Sequence, residues 1–127
     1  MKIDQNIQFN NDNKLIHFLN IENLSAEHIY EILELADKVK TKSLGGKTIA
    51  SLFFEPSTRT KTTFELASKR LGADFINIDI ANSSTLKGES VLDMIKTLEA
   101  MQCSMFIVRH NTSGIPHYIA KEVGDKI

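Results

Sequence analysis

The sequence predicts an α/β protein in three layers, with a parallel β-sheet covered by helices on both faces. Short apolar runs of strand length alternate with amphipathic segments of helical length, beginning and ending with a helix. This alternation is typical of parallel sheets, whose strands are connected by helices. The 127 residues, 42% hydrophobic and 24% charged, are enough for one domain with a single core.

The first predicted element is a helix over residues 24–40, after a polar and irregular lead-in of about 22 residues. Ser25 is a suitable N-cap residue, and Glu27 lies in the first turn, where a negative charge is favoured. Apolar residues recur at helical spacing along this segment, namely Ile29, Ile32, Leu33, Leu35, Ala36 and Val39.

Three strands are predicted from short apolar runs, and the first, bounded by a glycine pair and a proline, is interpreted as a buried strand. They cover residues 47–54, 74–80 and 103–110. All three are shorter than the ~20 apolar residues of a membrane span.

Helices are predicted after each strand, over residues 57–73, 89–102 and 115–123. The apolar face of the first consists of Phe64, Leu66, Ala67 and Leu71, and Gly72 is placed to cap its end. The apolar face of the second consists of Val91, Leu92, Ile95, Leu98 and Met101. Pro116 is tolerated because it falls in the first turn of the last helix.

Composition excludes several functional classes. The net charge of −1 gives no reason to expect nucleic acid or a membrane surface as a partner. A single cysteine, Cys103, excludes an internal disulfide framework and fits a reducing compartment. The N-terminus has no apolar signal core, so a soluble cytoplasmic protein is expected.

The histidines and the cysteine do not suggest a metal site or a covalent nucleophile. Four scattered histidines and one cysteine lack metal-ligand spacing, so no metal or other cofactor is expected. Cys103 is interpreted as a buried apolar residue. His17 and His28 are expected at the surface and His117 away from the polar loops. His110 has two open interpretations, orienting Arg109 or contacting the backbone.

Polar segments follow each predicted strand, at residues 56–60, 82–88 and 109–114. The carboxyl ends of parallel strands lie at one edge of a sheet, where α/β proteins bind ligands. The three segments are therefore expected to meet there.

The segment Ser57–Thr60 lies where a strand passes into a helix and predicts an anion site. Helix N-termini present unpaired N–H groups, and their dipole favours negative charge. The hydroxyls of Ser57, Thr58 and Thr60 add donors, and Arg59 adds a planar fork that fits phosphate or carboxylate. The alternative is that Ser57 is only an N-cap and Arg59 a solvated surface residue.

Two more cations, Lys87 and Arg109, are expected near the same edge. The alternatives are a solvated loop residue for Lys87 and a structural ion pair for Arg109. Neither a Walker loop nor a dinucleotide-binding glycine motif follows the strands.

Three stretches, FFEPSTRTKTTFELASKRLGADF, SSTLKGES and FIVRH, carry a resemblance to a known family. Together they resemble the aspartate and ornithine carbamoyltransferases over roughly residues 20–127. Lys87-Gly88-Glu89 and Arg109-His110 make the chain more similar to the aspartate members. The resemblance implies transfer of a carbamoyl group from carbamoyl phosphate to L-aspartate, giving N-carbamoyl-L-aspartate and phosphate, in pyrimidine biosynthesis.

The resemblance also implies site residues. The phosphate would be held by Ser57, Thr58, Arg59 and Thr60. Thr60 and Arg109 would contact the carbonyl oxygen of the carbamoyl group. Arg59, Thr60, Arg109 and Lys87 would be the catalytic set.

Lys87 and Ser84, with Ser83 as an adjacent candidate, would come from a neighbouring subunit, because members of this family are homotrimers with shared active sites. Lys61 departs from the family, in which arginine is common at this position. We expect little effect, since the positive charge is kept.

Members of the family have two domains, and these 127 residues lack the family's His-Pro-Thr-Gln motif and its aspartate-binding domain. The chain is therefore expected to be the carbamoyl phosphate-binding domain, 1–127, without its C-terminal part, and to be inactive alone. Two alternatives stay open: an ornithine carbamoyltransferase, and a non-catalytic phosphate-binding module.

Overall fold

The computed structural model describes residues 7–39, 43–79 and 88–123. Within these ranges the strands are β1 (Thr48–Phe53), β2 (Asp74–Asp79) and β3 (Met105–Arg109). The helices are α1 (Ala26–Lys38), α2 (Thr58–Arg70), α3 (Gly88–Ala100) and α4 (Ile115–Val123). The predicted alternation of helix and strand is confirmed. Among the described residues, no helix has both the length and the apolarity that crossing a bilayer requires.

The strands form a parallel sheet in the order β2-β1-β3, which confirms the predicted sheet type. The first strand in the chain is thus the central one. Phe53, the last residue of β1, lies opposite Asp79 of β2 and Arg109 of β3. All three strands therefore end at one edge of the sheet.

Helices cover both faces of the sheet, as predicted, because successive residues of β1 point to opposite sides. Ala50 and Leu52 belong to a core cluster with residues of α3 and α4. Its other buried members are Val91, Ile95, Leu98, Cys103, Ile119 and Val123. The opposite face of β1 carries Ile49, Ser51 and Phe53, and α2 packs against β1 and β2 on that side.

Helices α2 and α3 end in the same way, with a residue of positive φ directly after the C-cap. After α2 this residue is Gly72 (φ 85°), whose N–H donates to Lys69, and Ala73 N–H donates to Ser68. After α3 it is Gln102 (φ 67°), and the corresponding bonds run to Glu99 and Leu98. Both endings are Schellman motifs. The predicted cap at Gly72 is confirmed.

The first predicted helix is confirmed as α1, but its apolar face is not covered, since none of the 13 helix residues is buried. Leu33 and Leu35 are 57% and 62% exposed. The spacing of apolar residues indicates that the helix has an apolar face, but it does not indicate what covers that face. Helix α1 lies off the sheet, and the described residues do not cover its apolar face.

The apolar face of α2 is also largely uncovered. Phe64 and Leu66 are exposed, and the buried residue of this helix is Ser68. In α3, the apolar residues Val91, Ile95 and Leu98 are buried, whereas Met101 follows the helix and is exposed.

The lead-in segment is irregular, as expected, but it is held by the buried side chain of Gln8. Its Oε1 accepts hydrogen bonds from the N–H groups of Leu19 (2.6 Å) and Asn20 (3.0 Å). His28 is half-buried rather than a plain surface residue, because it completes the cap of α1 with Ser25 and packs against Phe9. The N-cap predicted at Ser25 is confirmed.

Candidate functional site

The candidate site lies at the carboxyl ends of β1 and β3. The N–H of Phe54 donates to the carbonyl of Arg109 at 2.9 Å, which extends the β1–β3 pairing by one residue. The chain then turns through Glu55 and Pro56 into α2. This backbone contact brings the start of α2 beside the end of β3.

Arg109 makes two side-chain contacts across this junction. Its Nε donates to Oε1 of Glu55 at 2.6 Å, and its Nη1 donates to the hydroxyl oxygen of Ser57 at 2.7 Å. The ion pair considered for Arg109 is therefore present. The same side chain also reaches the start of α2, so the two interpretations of Arg109 are compatible.

Ser57 occupies the N-cap position of α2, but its side chain makes no capping hydrogen bond. The first helical bond runs from Lys61 N–H to the carbonyl of Ser57 at 3.0 Å. The side chain of Ser57 instead accepts from Arg109, which contradicts its interpretation as only a side-chain N-cap. Neither the cap nor an acidic residue of the first turn competes for the N–H groups at this helix start.

Thr58 and Arg59 are exposed, and Thr60 is half-buried. The guanidinium of Arg59 forms no ion pair within the described ranges, although the carbonyl of this residue accepts from the hydroxyl of Thr63. Arg59 therefore keeps its charge available at the helix start. The structure brings Ser57 and Arg109 into contact beside the start of α2, the helix in which Arg59 is the second residue, at the strand edge where a parallel sheet was expected to gather these segments.

The third predicted connection cannot be compared with this geometry. Lys87, Ser84 and Ser83 lie outside the described residues. Their roles stay predictions.

Two further predictions concern residues beside β3. The Nδ1 atom of His110 accepts from Thr112 N–H at 2.9 Å, and its ring packs on Phe54, so the backbone-contact interpretation is confirmed. Cys103 is buried, as expected, and burial raises the pKa of its thiol. A raised pKa disfavours the thiolate that a nucleophile needs.

Surface hollows occur elsewhere on the described part of the chain. One of about 160 Å³ lies between residues 16–19, β3 and α4, and is mostly apolar. Another of about 310 Å³ lies between residues 13–15 and α1. Neither of these two hollows is lined by Ser57, Arg59 or Arg109.

Comparison with known proteins assigns the family. Residues 16–125 match the family model described as aspartate/ornithine carbamoyltransferase, carbamoyl-P binding domain. The chain belongs to this family. The family resemblance noted from the three sequence stretches is thereby confirmed.

Comparison with individual members of the carbamoyltransferase family supports the same assignment. The chain is 48% identical to the aspartate carbamoyltransferase catalytic subunit of Vesicomyosocius okutanii subsp. Calyptogena okutanii (strain HA), over 94% of this chain and 40% of that protein. The catalytic subunit of M. jannaschii aspartate transcarbamoylase superposes with a TM-score of 0.73 at 36% identity, over 85% of this chain and 38% of the other.

A third relative is aspartate transcarbamoylase from Trypanosoma cruzi, solved in complex with carbamoyl phosphate and aspartate. It superposes with a TM-score of 0.69 at 29% identity, over 86% of this chain and 36% of that one. The present chain thus spans about 40% of the length of the curated relative and slightly less of the solved structures.

Glu55 is a site residue that the sequence analysis did not select. Considered alone, a glutamate at this position argues against an anion site, because its carboxylate is negatively charged. The available clue was its position, two residues after a central strand whose neighbour ends in arginine.

Proposed function

We propose that this chain is the carbamoyl phosphate-binding domain of an aspartate carbamoyltransferase. The enzyme would transfer the carbamoyl group of carbamoyl phosphate to L-aspartate, as a step of pyrimidine biosynthesis. The single observation that carries this proposal is the contact of Arg109 with Ser57 at an otherwise open helix start. Family membership and the 48% identity to an aspartate carbamoyltransferase support it.

The phosphate of the substrate would lie at the N-terminus of α2. Main-chain N–H groups of the first turn and the hydroxyls of Ser57, Thr58 and Thr60 would donate to its oxygens. Arg59 would add a charge-assisted contact. Because the hydroxyl oxygen of Ser57 already accepts from Arg109, its own proton is free to be donated to an anion.

The chemistry needs no covalent intermediate. The amine nitrogen of aspartate forms a bond to the carbonyl carbon, and the carbonyl oxygen becomes an oxyanion. The bond between that carbon and the bridging phosphate oxygen then breaks, and phosphate leaves with the electron pair and takes up a proton from the amine. Arg109 and Thr60 would stabilise the oxyanion, since donors held in advance at developing charge lower the barrier.

Further parts of the proposal concern the rest of the enzyme. We propose a homotrimer in which Lys87 and Ser84, or the adjacent Ser83, reach the site of a neighbouring subunit. Lys87 would offset the charge of the leaving phosphate together with Arg59. We also propose the cytoplasm as location, which the single cysteine favours. The amino acid substrate would bind to residues outside this chain, so the chain is not expected to turn over alone.

Arg59 provides the test. Carbamoyl phosphate and inorganic phosphate are titrated into the 127-residue chain, and binding is followed by ¹H–¹⁵N NMR shifts of the N–H groups in the first turn of α2. Arg59→Ala is expected to weaken binding by about 10- to 150-fold, because it removes a charge-assisted contact worth about 1.5–3 kcal/mol. Arg70→Ala is the matched control, since it removes the same charge from the other end of α2.

Equal affinities of the Arg59→Ala and Arg70→Ala variants would contradict the site. Binding that depends on Arg59 also needs a test of transfer, because a non-catalytic phosphate-binding module would show it too. Production of carbamoyl-aspartate by an enzyme that joins this domain to the remainder found in its relatives separates the two. Ornithine as the preferred acceptor in that assay would establish the ornithine alternative instead.

A further inference from the structure

The ion pair between Glu55 and Arg109 has an unusual setting for a surface pair. Its Nε–Oε1 distance is 2.6 Å, and the two side chains are 34% and 45% exposed. Half-exposed pairs contribute little to stability as a rule. The pair also places a carboxylate beside a proposed anion site, where a negative charge weakens the attraction for phosphate. Neither stability nor charge therefore accounts for a glutamate here.

Geometry gives Glu55 a different role. A guanidinium group is a rigid plane with five N–H donors. Glu55 takes the Nε donor and Ser57 takes one donor of Nη1, so two contacts on neighbouring nitrogens define the plane and its direction. Three donors, one on Nη1 and two on Nη2, have no partner among the described residues. They remain available to a ligand beside the start of α2.

We propose that Glu55 is a positioning residue that holds the guanidinium of Arg109 in its binding orientation before the ligand arrives. The inference rests on the proposed function, because the ligand is the carbamoyl phosphate assigned to that site. Glu55 acts through Arg109 and needs no contact with the substrate. Its benefit is that the rotational freedom of a long side chain is already lost before binding.

Removing the carboxylate separates positioning from electrostatics by the sign of the effect. If Glu55 acted only as a charge, its removal would raise the positive potential at the site and tighten phosphate binding. If it positions Arg109, its removal weakens binding, because ordering Arg109 becomes part of the binding free energy. Glu55→Gln keeps an acceptor oxygen of the same shape and is expected to lie between the wild type and Glu55→Ala.

The first measurement is affinity for inorganic phosphate and for carbamoyl phosphate, in the 127-residue chain by ¹H–¹⁵N NMR. Glu55→Ala is expected to weaken carbamoyl phosphate binding by about 2- to 13-fold, the usual range for immobilising one long side chain. Glu65→Ala is the matched control, because Glu65 also forms an ion pair, with Lys69, but on the exposed surface of α2. Affinity that is unchanged or tighter in Glu55→Ala would overturn the proposal.

The second measurement needs no ligand. The Nε–H resonance of Arg109, identified by its loss in Arg109→Lys, is expected to exchange slowly with water in the wild type. In Glu55→Ala it should exchange as fast as the Nε–H of the exposed Arg70, while Glu55→Gln should retain partial protection. Equal protection in wild type and Glu55→Ala would show that the carboxylate does not hold the guanidinium.

The two measurements separate the failure of this inference from that of the proposed function. A wild-type chain that binds neither anion would count against the proposed site, and the resonance of Arg109 would still decide whether Glu55 orients it. A chain that binds carbamoyl phosphate with Arg59 dependence, but with no effect of Glu55→Ala, would retain the function and refute the positioning role.

Discussion

In the middle of the central strand, Ser51 buries a hydroxyl group completely, and its oxygen has no hydrogen-bond partner among the described residues. Burying a hydroxyl without a partner is unfavourable, because its bonds to water are lost on folding and not replaced. Ser68, a buried serine of α2, donates to the carbonyl of Phe64 at 2.7 Å. These two residues allow the cost to be isolated.

Ser51→Ala is expected to raise the free energy of unfolding by about 1 kcal/mol, the low end of the usual cost of an unpaired buried hydroxyl. Urea denaturation followed by circular dichroism measures it. Ser68→Ala is the control and is expected to be neutral or destabilising, because it removes a satisfied bond. A lower stability of Ser51→Ala than of Ser68→Ala would contradict this account.

At the site, sequence reasoning predicted which residues meet but not how they contact one another. The convergence of Ser57 and Arg109 followed from the predicted parallel sheet, because parallel strands end at one edge. The contact of Glu55 with Arg109 depends on how the chain turns at Pro56. Residue type does not encode that direction, so Glu55 was missed.

At the scale of elements, the ends of α2 and α3 show what sequence can and cannot reveal. Glycine after a helix is a recognisable stop because it adopts positive φ without strain, and Gly72 was predicted on that basis. Gln102 adopts the same conformation at φ 67° without being glycine. The helix was therefore predicted to continue through residue 102, whereas α3 ends at Ala100.

The matching caps predict opposite effects of two substitutions. Gly72→Ala should lower the free energy of unfolding by about 1–2 kcal/mol, because a Cβ atom is strained in the left-handed region. Gln102→Gly should raise the free energy of unfolding by about 1 kcal/mol or less, because it relieves the strain of positive φ. The gain is small, because glycine also gives the unfolded chain more conformational freedom. Thermal and urea denaturation of both variants provide the measurement. Changes of the same sign would refute the equivalence of the two caps.

At the scale of the whole molecule, the fold was predictable, because the alternation of helices and strands determines how they are layered. The exposure of the apolar face of α1 was not predictable. A periodic pattern states that a surface is apolar, but the covering partner is not encoded in the helix itself. The same limit applies to the site. The chain spans about 40% of its curated relative, and the proposed shared site requires residues of another subunit.

The proposed subunit sharing predicts recovery of activity in mixed trimers of an enzyme that joins this domain to the remainder found in its relatives. Arg59→Ala and Lys87→Ala should each be nearly inactive. In a cyclic trimer, every mixed assembly would contain one site with both residues intact, so random mixing should restore up to about one quarter of wild-type activity. Arg59→Ala mixed with Arg109→Ala is the control and should recover nothing, because both residues come from one chain. No recovery in the first mixture would argue for sites within one subunit.

The central place of β1 has a consequence for synthesis on the ribosome. This apolar strand emerges before both of its neighbours, and its second partner is complete only when Arg109 has left the exit tunnel. Until then at least one hydrogen-bonding edge of β1 stays open to other nascent chains. A ribosome that pauses after β1 has emerged but before Arg109 has emerged should therefore favour misassembly. A chaperone that suppresses aggregation should be needed most during this interval.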